Sequence, residues 1–159
     1  MPTPLTVHLS GEIHTDWRER IMTGAADLGL ELRFSAPVSD HQASDDCGTT
    51  LLGPEAEPFW RDAKGAGLNA IRSRIALAEA DVVVVRFGDR YKQWNAAFEA
   101  GWAAALGKPL IVLHDSELTH ALKEVDAAAL AVASTPEQVL GILRYVQRGE
   151  LPPPTSGQD

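Results

Sequence analysis

Glu99 is the sole charged side chain in NAAFEAGWAAALG (residues 95–107), a stretch otherwise made of alanine, glycine, aromatic and a few other uncharged residues. An apolar run, ADVVVVRFG, precedes it, and Asn95 is the natural N-cap of the helix that follows, so Glu99 is expected in that helix's first full turn. The helix macrodipole favours a carboxylate there by roughly 0.3–1 kcal/mol. An ionised, oriented carboxylate is what a nucleophile at an anomeric carbon requires. An acid in a first turn also arises for dipole reasons alone, and spacing does not separate the two readings.

Other chemistry-bearing residues gather at two places. The segment SGEIHTDWRER offers Ser10, Gly11, Glu12, His14 and Trp17, where a glycine lets backbone amides come close to a ligand and the following helix start favours an anion. Arg18 and Glu19 read as a solvated helix face. Just before Glu99, FGDRYKQWN supplies Gly88, Asp89, Tyr91, Lys92, Trp94 and Asn95, groups able to hold a substrate or move a proton. Arg72, on the preceding helix, either reaches the same place or makes a surface ion pair. His41 and Asp45 form an acid/base or sugar-hydroxyl pair, or simply a solvated turn.

Several chemistries are excluded. His41, Asp45, Asp46 and Cys47 lack any recognised metal-ligand spacing, so no metal is expected. There is no GxGxxG, GxxxxGK or GxSxG motif, which leaves no signature for a dinucleotide cofactor, a phosphate-cradling loop or a hydrolase elbow. No cofactor is expected. The single cysteine, Cys47, permits no intramolecular disulfide and fits a reducing, cytoplasmic setting. A net charge of −8 argues against nucleic acid or an anionic membrane as partner, and no run approaches a membrane span in length. A small molecule is the expected ligand.

The elements that must position these residues follow from periodicity. LTVHLS reads as a strand, residues from Trp17 to Leu28 as a helix stopped by Gly29, and LELRFSAPV as a second strand. Residues 37–57, rich in Pro, Ser, Asp and Gly, read as a long loop. A helix follows over Pro58–Ala80, with Gly65 and Gly67 expected to break it or delay its start. ADVVVVRFG is a central parallel strand, and on the helix after it Trp94, Phe98, Gly101, Trp102 and Ala105 line one side as an expected core stripe. KPLIVL, a short helix near 116–124, LAVAS and a final helix from Pro136 to Gln147 complete the chain. The 159 residues therefore predict one domain, 1–148, with a disordered proline-rich tail, 149–159. Its fold class is α/β, a doubly wound five-stranded parallel sheet in the flavodoxin-like order 2-1-3-4-5, with the ligand crevice beyond the carboxyl ends of strands one and three.

The stretch AEADVVVVRFGDRYKQWNAAFEAGWAAALGKPLIVL resembles the strand, loop, acidic helix and GKP strand entry of nucleoside 2-deoxyribosyltransferases. VHLSGEIHTDWRERI, SDHQASDDCG and RYKQWNAAFEAG resemble the YtoQ-type branch of that superfamily, and the likeness spans about residues 5–146. The resemblance implies that Glu99 attacks the anomeric carbon of a deoxynucleoside, releases the base and holds a covalent deoxyribosyl intermediate for a second base or water. It also implies that Gly11 lines the crevice, and that the protein is a homo-oligomer, a dimer or higher. Two departures stand out: NAIRSR (69–74) replaces a helix that carries an aspartate in the transferases, and RYKQWN replaces an acidic, glycine-containing sugar-gripping loop. Basic Arg72 and Lys92 would suit a phosphate or carboxylate on the ligand.

The expectation is an N-glycosidic bond enzyme with Glu99 as nucleophile, Glu12, Asp45 or Asp89 as proton donor, and Arg72, Tyr91, Lys92 and Asn95 positioning the substrate. A nucleotide-sensing module without chemistry and an NAD-cleaving hydrolase are the alternatives.

Overall fold

A computed structural model describes residues 3–153; residues 154–159, most of the tail expected to be disordered, lie outside the described residues. Five parallel strands, β1 (Leu5–Gly11), β2 (Leu32–Ser35), β3 (Val82–Arg86), β4 (Leu110–Leu113) and β5 (Ala131–Ala133), form one sheet in the order β2-β1-β3-β4-β5, as expected. The six α-helices among the described residues are α1 (Trp17–Asp27), α2 (His41–Leu52), α3 (Pro58–Glu79), α4 (Trp94–Ala105), α5 (Lys123–Ala128) and α6 (Pro136–Arg148).

Side-chain alternation along the strands divides the core in two. Val7, Leu9, Val82, Val84, Ile111 and Leu113 face Trp17 and Ile21 of α1 and Val139 and Leu143 of α6. Val83, Val85, Leu110 and Val112 face Leu77 of α3 and Ala96, Ala100 and Ala103 of α4. On β1 the second face is not apolar: His8 and Ser10, both buried, occupy the positions that valines occupy on β3. A central strand buried on both faces ordinarily carries hydrophobic side chains throughout, so this polar pair marks where the sheet serves something other than packing.

Four expectations are corrected. Residues 37–57 are not a continuous loop, because α2 forms inside them: the Asp40 side chain accepts from Ala43 N at 2.9 Å as N-cap, and Gly53, at φ +96°, ends the helix. No apolar stripe announced α2, since it packs chiefly on α3 through glycine, with Gly48 lying directly against Lys64 and the Gly65 backbone. For the same reason α3 runs unbroken through Gly65. The helix expected near 116–124 is a single 3-10 turn, Ser116–Leu118, followed by α5.

The fourth correction concerns α4. The alanine face turns to the sheet, where small side chains let the helix lie close to Val83 and Val85, and the aromatic side turns outward: Trp94 and Phe98 are 71% and 70% exposed. Of that stripe, Trp94 and Phe98 are surface, while Trp102 is half-buried against the sheet-side core. The helix also begins at Trp94, with Gln93 rather than Asn95 at the cap, so Glu99 falls in the second turn. The macrodipole fades beyond the first turn, and the carboxylate needs other support.

Candidate active site

The support for Glu99 comes from two hydroxyls on two different elements. Ser73 Oγ, on α3, donates to Glu99 Oε1 at 2.7 Å, and Ser10 Oγ, at the end of β1, donates to Oε2. Each carboxylate oxygen thus spends one lone pair on a serine and keeps another free. Glu99 opens onto a crevice of about 790 Å3 lined by the chain leaving β1 (Gly11–His14), β2 (Ser35–Val38) and β3 (Tyr91–Gln93), beyond the carboxyl ends of the strands, where ligands bind in such sheets. The volume is within the ordinary range for a small-molecule site, about 300–1,000 Å3.

Backbone geometry opens this crevice. Gly11 has φ +109°, and any Cβ there would collide with the backbone of Arg86 on the adjacent strand, so only glycine lets the chain leave β1 here. Glu12 N then donates to Arg86 O at 3.1 Å. The Glu12 carboxylate is buried and accepts from His14 N at 2.9 Å, Thr15 N at 3.2 Å and Thr15 Oγ1, with Arg86 Nε at 3.6 Å. Its valences are taken by the turn it shapes, which places it as a loop clamp rather than the proton donor expected of it.

Arg18 also departs from expectation. It is buried and donates to the carbonyls of Leu9 at 2.9 Å, Glu12 at 2.6 Å and Gly11 at 3.1 Å, closing the strand end that carries Ser10 and Gly11. Burial pulls its guanidinium down to about 10, partly opposed by Glu12, Glu19 and Glu99. Trp17, expected to touch substrate, is 1% exposed in the α1 core, where its Nε1 donates to Glu12 O at 2.9 Å.

The rim brings together most of the other expected residues. His14 stacks obliquely on Tyr91, ring centroids 5.0 Å apart, joining the first loop to the loop before α4. Lys92 and Asn95 line the crevice on that side and Arg72 lines it from α3. Opposite them, α2 contributes His41 and Asp45, 3.3 Å apart. Asn69 Nδ2 ties α2 to α3 by donating to Ser44 O at 3.1 Å and Ser44 Oγ at 3.2 Å. Gly88, Asp89 and Trp94 are not among the residues that line the crevice. Gly88 instead packs under Glu12 and donates its N–H to Gln93 Oε1 at 2.7 Å, folding the loop back on itself. Asp89 is exposed, and Trp94 sits under Lys92 Nζ, 5.6 Å from its ring centroid.

A further residue of the floor was not singled out from the sequence. His8, 2% exposed, lines the crevice and has Nδ1 2.9 Å from Ser35 Oγ. Burial lowers its pKa below the ordinary value of 6.5, with Glu99 pulling the other way. The signal for His8 was the polar face it shares with Ser10 on LTVHLSG, in a strand that should be apolar on both sides. Among the described residues no three His, Cys, Asp or Glu side chains converge as a metal site, and no helix is long and apolar enough to cross a membrane.

The family model described as "Nucleoside 2-deoxyribosyltransferase YtoQ" matches residues 8–147, from the crevice floor to the end of α6. The chain belongs to this family. It is 37% identical over 140 residues to the uncharacterized protein YtoQ of Bacillus subtilis (strain 168), covering 88% of this chain and 95% of that one. Among solved structures, a conserved protein from Enterococcus faecalis V583 shares the fold, with a TM-score of 0.61 at 13% identity over 91% of this chain and 99% of that one. A 2-deoxyribosyltransferase from Bacillus psychrosaccharolyticus aligns with a TM-score of 0.48 at 16% identity, over 85% and 90% of the two chains.

Proposed function

We propose that this member of the family cleaves N-glycosidic bonds, as a deoxyribosyltransferase or a nucleoside or nucleotide hydrolase, with Glu99 as the nucleophile. The observation that carries this reading is the carboxylate of Glu99, held by Ser10 and Ser73 on separate elements with lone pairs left over and facing a crevice of nucleoside size. A Glu99 oxygen would attack the anomeric carbon as the bond to the base nitrogen breaks. The bonding pair leaves with the base, which takes up a proton, and a glycosyl ester remains on Glu99. Water or a second base then attacks the same carbon, and the carboxylate is returned.

Of the acids considered for the proton, Asp45 is the one that lines the crevice without being consumed by backbone N–H groups, and His41 stands beside it. Arg72, Tyr91, Lys92 and Asn95 surround the entrance and would position the ligand, the two cations suiting a phosphorylated one. The homo-oligomer implied by the resemblance belongs to the same reading. The exposed apolar side chains Trp94, Phe98, Ile71 and Ile75 on α4 and α3, together with Trp60, are candidates for that contact.

The test is incubation with deoxynucleosides, nucleoside monophosphates and NAD, following free base by chromatography, and repetition with Glu99→Gln. We expect base release from at least one ligand, abolished by the substitution, and a mass increase localised to Glu99 after treatment with a 2-fluorinated sugar analogue. Tight binding that survives Glu99→Gln, with no base released from any ligand, would sink the enzyme reading in favour of a sensor.

A further inference from the structure

The crevice floor holds one buried polar atom with nothing to bond. His8 Nε2 has no hydrogen-bond partner among the described residues, although the residue is 2% exposed and lines the crevice. Its other ring nitrogen is engaged by Ser35 Oγ at 2.9 Å, which fixes the ring plane. An unpaired buried polar group ordinarily costs about 1–3 kcal/mol, and one on a residue that lines a cavity beside a candidate nucleophile is explained most simply by a ligand that completes it.

The stereochemistry of the proposed displacement says which part of the ligand that is. An attacking carboxylate and a leaving base lie on opposite sides of the anomeric carbon, so the base departs away from the side on which Glu99 and the β1 floor that holds it through Ser10 stand. Groups beside Glu99 on that floor face the sugar. His8 and Ser10 are two residues apart on β1 and so point to the same side of the sheet. The Ser10 hydroxyl already donates to Glu99, whereas Nε2 of His8 is unpaired. Burial holds the imidazole neutral, with one nitrogen a donor and the other an acceptor. A hydroxyl, which can both give and receive, matches the open nitrogen in either tautomer.

We propose that His8 Nε2 hydrogen-bonds a hydroxyl of the deoxyribofuranose, making His8 the sugar-reading residue of the crevice. The assignment rests on the N-glycosidic reading above and deepens it. A site built around a substrate hydroxyl discriminates against the analogue that lacks it, because the protein's own polar atom is then left bare.

The experiment compares binding of a 2′-deoxynucleoside with its 3′-deoxy and 5′-deoxy analogues by calorimetry, in the Glu99→Gln background and in Glu99→Gln combined with His8→Phe. With His8 present, removing the contacted hydroxyl should weaken binding about five- to tenfold, the equivalent of one neutral hydrogen bond. With His8→Phe the parent and that analogue should bind within about twofold of each other. An equal loss in both backgrounds overturns the assignment. A second measurement needs no substitution at His8: in Glu99→Gln protein carrying 15N-labelled histidine, the Nε2 resonance of His8 should move when the deoxynucleoside is added and stay still when free base is added. Glu99-dependent base release with that resonance unmoved overturns the role of His8 alone. Failure of any nucleoside to bind, together with no base release by the wild type, overturns the N-glycosidic reading and this assignment with it.

Discussion

With a hydroxyl on each oxygen, the Glu99 carboxylate is fixed in its plane as well as its position, and the two donors come from elements far apart in the sequence. Ser10→Ala and Ser73→Ala should therefore each reduce kcat for base release on the order of tenfold while changing KM little, since a loosened nucleophile loses alignment in the transition state more than it loses ground-state binding. Steady-state kinetics on the ligand found by the base-release assay checks this; an unchanged kcat in both variants would remove the serines from the mechanism. His8 adds a dependence on pH. Its folded pKa is lowered from 6.5, so between the folded value and 6.5 the unfolded chain holds more protons than the folded one. Stability from this residue is then fully present above 6.5 and is lost as pH falls toward the folded value. Denaturation midpoints taken from pH about 7.5 down to about 5.5 should decline less steeply in His8→Gln than in the wild type. Parallel declines would show that His8 does not titrate as described.

Among the elements, the α2–α3 contact is the most sharply constrained. A Cβ at Gly48 would fall on Lys64 and the Gly65 backbone, whereas one at Gly67, on the same helix as Gly65, would meet nothing within 4 Å. Gly48→Ala should destabilise by about 1–3 kcal/mol through overpacking, and Gly67→Ala should stabilise by about 0.5–1 kcal/mol by removing backbone freedom in a helix interior. Urea denaturation of the pair gives opposite signs if the helices cross as described.

This contact also shows why part of the fold was legible from the sequence and part was not. The β-branched run of β3 and the apolar KPLIVL entry of β4 declare themselves because burial on both faces demands it, and strand order followed from the βα alternation. Helix α2 reads as loop from the sequence because its main partner is a helix approached through glycine, a contact that leaves no hydrophobic period. On α4 the sequence offered two faces, one aromatic and one of alanine, and residue size suggested the wrong one as core. Close approach to a sheet favours the smaller side chains. Glu99 was visible as an isolated acid, yet its serine supports were not, since they arrive from β1 and α3 and only the folded chain brings them together. Arg18 reads as solvated because a cation at a helix start ordinarily is, and nothing local reveals that strand-end carbonyls surround it.

For the molecule as a whole, one of the exposed apolar side chains on α3 and α4, Ile75, is also part of the crevice lining. If the homo-oligomer of the proposed reading uses this surface, sedimentation velocity should give a mass above the 17.1 kDa of one chain. Phe98→Glu combined with Trp94→Glu should return the single-chain value, with the base-release assay reporting whether the neighbour matters to the site. A wild type that sediments as one chain at all concentrations would remove the neighbour from the reading. The same scale gives a further meaning to the way α2 is hung. His41, Ser44 and Asp45 form one wall of the crevice, and that wall is fastened chiefly to α3 by a glycine crossing and the Asn69 bonds. Glu99, Ser10 and His8 stand on the sheet and α4. The wall is thus a graft-ready cassette, so that segments 36–57 exchanged between family members should carry ligand preference with them while leaving Glu99 and its serine partners where they are.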